Sequence, residues 1–210
     1  MTTVRPKVYA LDGVVPVIHP TSFVHPDAVL IGDVIIEADC YIGPLASLRG
    51  DFGRIHVGEG SNIQDACTLH CIPGYDTVVG PHGHIGHGAI IHSAVLERNV
   101  LIGMHAVVMD QVVVGESAIV AAMSFVKARA RVPARHLVAG VPARVVRELT
   151  ADDLAMKVEG TKAYHILVER CRETLVPAEP LTELDADRGR TDATTFLPVR
   201  ERMARLKERG

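Results

Sequence analysis

Residues 24–48 read VHPDAVLIGDVIIEADCYIGPLASL, and an aliphatic side chain returns at every sixth position: Val24, Leu30, Ile36, Ile42 and Leu48. A helix face repeats every three to four residues and a strand face every two, so neither explains this period. The beat resumes at Val57, Ile63 and Leu69, then at Val79, Ile85 and Ile91. After a five-residue step it runs through Leu96, Ile102, Val108, Val114, Val120 and Val126. A second small or aliphatic residue often stands four places after the leader, as at Ala28, Val34, Cys40, Ala46, Ser61, Cys67, Ala89, Ala106, Val112 and Ala118. Each six-residue unit reads as one short strand and a turn. Leader and partner point into a narrow prism, three units close one triangular coil, and stacked coils satisfy each other's backbone hydrogen bonds. Gly43, Gly58, Gly80, Gly86, Gly103 and Gly115 directly follow leaders and read as turn residues with unusual dihedrals. The repeat covers about residues 24–131.

Composition agrees with such a prism. Of 210 residues, 48% are hydrophobic but only 4% aromatic, with no Trp, which suits thin, regular layers of Val, Ile and Ala. The net charge of −3, from 22 basic and 25 acidic residues, gives no electrostatic case for nucleic acid. The N-terminus lacks a long apolar segment of the secretory kind, and no 18-residue apolar run marks a membrane span. The reading is a soluble, cytoplasmic protein with reduced thiols. Cys40 and Cys67 fall on inward positions. Cys71 is out of phase and reads as a loop cysteine.

After the coils, LVAGVPARVVREL (137–149) closes the repeat. Thr150 then caps a helix with Asp152 and Asp153 in its first turn. Leu154, Val158, Thr161, Tyr164, Val168, Cys171 and Leu175 form its packing face, interrupted by Gly160. The expected division is residues 1–147 for the coils and 148–176 for the helix. Residues 177–210 are expected to form a poorly ordered tail with a short basic helix near 198–208.

Coil phase also sorts the histidines. His70 follows leader Leu69 and His92 follows leader Ile91, three units on, so the two stack on one face about 4.8 Å apart. That separation lets two imidazoles reach one metal ion. His87 stands two places after Ile85, on another face, and can join the pair only from a neighbouring chain around a threefold axis. Arg49 lies one coil below His70, and Asp65 one coil below His87. The same packing therefore predicts an intersubunit Arg49–Asp65 ion pair.

The repeat resembles the hexapeptide-repeat family, which implies a left-handed parallel β-helix: an all-β solenoid with a C-terminal α-helix. The stretches LRGD (48–51), NIQD (62–65), TLH (68–70) and IGHGAIIH (85–92) are similar to the gamma-class carbonic anhydrases. That resemblance implies a homotrimer with metal sites at its interfaces. Its metal ligands would be His70, His87 and His92, and its other active-site residues Arg49, Asp51, Gln64 and Asp65. Residues 8–180 are still more similar to the phenylacetic acid degradation branch, which has thioesterase activity. Two departures bear on chemistry. Phe52 stands where the archetypal anhydrase has Glu, and CIPGYDT (71–77) replaces its acidic proton-shuttle loop.

Three neutral imidazoles on Zn2+, or on Fe2+ or Co2+, would leave a fourth position for water, whose pKa falls to about 7. Gln64 would orient that water. The resemblance thus implies a zinc hydrolase that cleaves an acyl-CoA thioester in phenylacetate catabolism. Carbonic anhydrase, acting on CO2 and bicarbonate, is the second reading. A metal-free hexapeptide acyltransferase with a catalytic His is the third, and a non-catalytic trimeric scaffold the fourth.

Overall fold

The computed structural model describes residues 6–191, and the predicted basic helix near 198–208 lies outside them. The chain winds into a parallel β-solenoid of short strands, followed by one helix at Ala151–Thr174. Most strands have two or three residues and pair with the strand one coil earlier and one coil later, as Asn62–Ile63 does with Tyr41–Ile42 and His84–Ile85. Two long strands, Val29–Ile36 and Ser47–Val57, run around a corner and join two prism faces into a single 12-stranded sheet. The third face is an eight-stranded sheet that ends in the antiparallel hairpin His136–Gly140/Ala143–Glu148.

The leaders fill the prism. Leu30, Ile42, Leu48, Ile63, Leu69, Ile85, Ile91, Leu96 and Ile102 are all fully buried, with Ala28, Cys40, Ala46, Cys67, Ala89 and Ala106 beside them. Large leaders alternating with small partners suit a narrow triangular section, and burying each large leader stabilises the fold by about 1.5–3 kcal/mol.

The glycines after the leaders work differently from the sequence reading. Among the described residues, the left-handed corners fall two places later and are held mostly by other residues, such as Leu45 (φ 60°), His105 (φ 55°) and Met123 (φ 59°). Gly103 is required by proximity instead: a Cβ there would lie 2.3 Å from the backbone nitrogen of Ala122 in the next coil.

The two breaks in the beat stack on each other. The extra residues between Leu48 and Val57 form an arm within strand Ser47–Val57, and those between Leu69 and Val79 form a loop against it. Arg54 N donates to Asp76 Oδ1 at 2.9 Å, and Gly53 leaves no room for a side chain against the Tyr75 carbonyl. Cys71 is drawn beneath this arm and is fully buried, its Sγ 3.4 Å from the Arg54 carbonyl, so it is a core residue rather than a loop cysteine.

Thr150 caps the helix through a capping box with Asp153, as the sequence predicts, and Gly160 is carried inside the helix. The packed face is narrower than the predicted stripe. Val168 is buried against Phe23 and Tyr41, with Tyr164, Leu167 and Cys171 alongside, whereas Val158 and Leu175 are exposed. Lys157 is buried instead, donating to Asn99 Oδ1 at 2.7 Å and to the His82 carbonyl.

Candidate active site

Strand register places Arg49, His70 and His92 in one column on successive coils. Their side chains form a continuous polar chain with two aspartates. Arg49 Nη1 donates to Asp51 Oδ2 at 2.7 Å, and His70 Nε2 lies 2.8 Å from Asp51 Oδ1. His70 Nδ1 lies 3.0 Å from His92 Nε2, and His92 Nδ1 lies 2.6 Å from Asp110 Oδ1. An ionised carboxylate only accepts, so both outer ring nitrogens carry hydrogen; a proton between the two inner nitrogens then makes one ring an imidazolium, so the pair as a whole carries one positive charge. The imidazole rings sit 5.1 Å apart at 52°, and the Phe52 ring lies 5.6 Å from His70 at the open edge of the site.

Asp110 is absent from the sequence reading. By phase, Met109 and not Asp110 stands one coil above His92. The shortened unit between Ile91 and Leu96 tightens the turn at Ser93 (φ 46°). Gln111 N then donates to the Ser93 carbonyl at 2.7 Å, setting Asp110 over the imidazole.

His87 lies on another corner. Its Nδ1 is 3.2 Å from Asp65 Oδ2, and the pair is nearly half exposed. No partner meets its Nε2 among the described residues. Arg49 is paired with Asp51 within the chain, so both members of the predicted Arg49–Asp65 pair already have a contact of their own.

Gln64 does not reach this surface. It is buried under the helix, where Nε2 donates to Asn62 Oδ1 at 2.9 Å and lies 2.8 Å from His84 Nε2. Tyr164 stacks edge-on against His84 and beside Tyr41, so it packs this cluster. Burial, and then the nearby Lys157 charge, pushes the His84 pKa down to about 3, which keeps that ring neutral.

The prism and its C-terminal helix define a class, the left-handed β-helix of hexapeptide repeats. A putative acetyltransferase from Bacillus cereus superposes with a TM-score of 0.80 at 29% identity, over 81% of this chain and 99% of that one. A hexapeptide transferase family protein from Anaplasma phagocytophilum does so with a TM-score of 0.76 at 36% identity, over the same shares. In sequence, the carnitine operon protein CaiE of Escherichia coli K12 is 54% identical over 187 residues, 89% of this chain and 95% of the relative. CaiE of Proteus sp. strain LE138 is 52% identical over 189 residues. No protein-family model matches the chain. The chain belongs to the CaiE-like branch of the hexapeptide-repeat transferase family, to which the gamma-class carbonic anhydrases are a related family.

These relatives correct the sequence reading of the reaction. The expected zinc thioesterase of phenylacetate catabolism, and carbonic anhydrase behind it, give way to a transferase kinship. The donor set does not fit Zn2+, Fe2+ or Co2+ as predicted. The inner nitrogens of His70 and His92 serve each other and their outer ones serve carboxylates. Among the described residues no three His, Cys, Asp or Glu side chains converge to hold a metal. No helix of the described residues is long and apolar enough to cross a membrane.

Proposed function

We propose that the protein is a metal-free acyltransferase that moves an acyl group from an acyl-CoA thioester to a nucleophilic acceptor. The observation that carries this reading is the contrast among the three histidines. His70 and His92 have both ring nitrogens engaged, whereas His87 has a carboxylate behind Nδ1 and leaves Nε2 open. An imidazole backed by a carboxylate with one open nitrogen has the form of a general base. The kinship to proteins described as transferases supports the same reaction class.

The working unit is a homotrimer, the usual assembly of hexapeptide-repeat proteins, in which His87 of one copy faces His70 and His92 of the next. His87 Nε2 takes the acceptor's proton, and the acceptor's lone pair forms a bond to the thioester carbonyl carbon. The carbonyl π pair moves onto oxygen, and the positive charge that the shared proton gives the His70–His92 pair stabilises it. When the carbonyl re-forms, the C–S bond breaks, and the CoA thiolate takes the proton from His87. Asp65 orients His87, and Arg49 and Asp51 hold the His70 end of the chain.

The test is acyl transfer by His87→Ala with acetyl-CoA and a panel of amine and hydroxyl acceptors, followed by release of free CoA. The expected result is acceptor-dependent CoA release by the wild type and a loss on the order of a hundredfold or more in the variant. CoA release that needs no acceptor, or full transfer activity in His87→Ala, overturns the reading.

A further inference from the structure

We infer that Asp110 is the positioning residue of the site: it fixes the proton of His92 on Nδ1 and so commits Nε2 to the bridge with His70. The inference rests on the acyltransferase reading for its kinetic consequence, but not for its geometry. At 2.6 Å, the His92 Nδ1–Asp110 Oδ1 contact is the shortest in the chain of side chains. Asp51 divides its two oxygens between Arg49 and His70. Asp110 faces only His92, and no cation pairs with its carboxylate among the described residues. Its backbone is tied to both neighbouring coils: the Asp110 carbonyl accepts from Arg129 N at 2.8 Å, and Gln111 N donates to the Ser93 carbonyl at 2.7 Å. The carboxylate is therefore held over the ring by the coil stack and not by its own rotamer alone.

A neutral imidazole carries its proton on either nitrogen unless a partner selects one. Without Asp110, His92 can shift its proton to Nε2 and donate to His70, or turn away from it. Either change dissolves the arrangement in which both outer nitrogens donate to carboxylates and the inner pair shares one proton. A carboxylate that sets an imidazole in this way supports general acid–base chemistry worth about 10²–10⁴-fold, so its removal is expected to cost at least about tenfold in activity.

The experiment compares wild type, Asp110→Ala and Asp110→Asn, with His92→Gln included to assign the His92 ring signals in the NMR spectrum of selectively labelled protein. The expected wild-type spectrum shows a protonated His92 Nδ1 with a downfield proton. That signal is lost in Asp110→Ala and retained in Asp110→Asn, whose amide oxygen still accepts. In acyl-transfer kinetics, Asp110→Ala is expected to lower kcat by at least about tenfold with little change in KM for acyl-CoA, and Asp110→Asn to recover most of it. Circular dichroism melting confirms that each variant folds. A downfield Nδ1 proton that persists in Asp110→Ala overturns the inference. So does a rise in KM with kcat unchanged. If the wild type transfers no acyl group, the proposed reaction fails, while the ring spectra still decide the role of Asp110.

Discussion

A carboxylate behind an imidazole determines which ring nitrogen is free to work, and in the proposed mechanism His87 depends on Asp65 for that choice. The two residues lie one coil apart, at 3.2 Å, on a corner where neither is deeply buried. Asp65→Ala is therefore expected to leave the fold intact and to lower kcat for acyl transfer on the order of a hundredfold. Steady-state kinetics beside a thermal melt checks this, and an unchanged kcat would remove Asp65 from the site. Sequence phase already placed Asp65 beneath His87 and Arg49 beneath His70. It did not foresee that Arg49 turns to Asp51, or that Gln64 turns inward to Asn62 and His84, because phase assigns a face and not a rotamer.

At the scale of the coil and the helix, close approach and burial replace motif chemistry. Gly103 sits where the next coil leaves no room for a Cβ, so Gly103→Ala must push the Ala122 backbone away. The expected cost is about 1–3 kcal/mol, measured as a fall in denaturation midpoint. A neutral outcome would mean that the coil spacing yields more easily than the 2.3 Å approach implies.

The helix offers a pH test. Burial, with a smaller contribution from the Arg98 charge, pushes the Lys157 pKa down to about 7 from 10.5. Between these values the unfolded chain binds a proton that the folded chain releases, so this lysine's contribution makes stability rise with pH across that window. Below about pH 7 both states hold the proton and the penalty is constant. Lys157→Met removes the titration. The wild type is thus expected to gain stability relative to the variant between pH 7 and pH 10, read from urea midpoints. Parallel midpoints across that range would show that Lys157 does not titrate there. The hydrophobic spacing of the helix sequence placed Val158 on the packed face. Lys157 took the place because His82 and Asn99 present acceptors under that turn.

At the scale of the whole molecule, the proposed site needs more than one copy, because His87 and the His70–His92 pair stand on different corners. Light scattering is expected to report three times the 22.6 kDa chain mass. Mixing inactive His87→Ala with inactive His92→Ala should regenerate activity, since an interface can draw one intact residue from each. Random reassembly restores roughly a quarter of the sites. An active monomer, or mixtures with no recovered activity despite subunit exchange, would place the site within a single chain.

The order of residues alone determined the prism. Leaders repeating every sixth position can bury their side chains together only by coiling, so the period, the coil stacking and the column holding Arg49, His70 and His92 follow from one-dimensional phase. The capped C-terminal helix was legible for a similarly local reason, since Thr150 and Asp153 satisfy each other within one turn. What the tertiary structure decided lies where the beat breaks or where direction matters. The two insertions had to be seen stacked before Cys71 proved to be core. The shortened unit after Ile91 had to be seen in place before Asp110 arrived over His92. The reaction was not legible in the sequence either: identical histidines can serve a metal, a proton bridge or a general base, and it is the kinship to transferases that overturns the zinc reading.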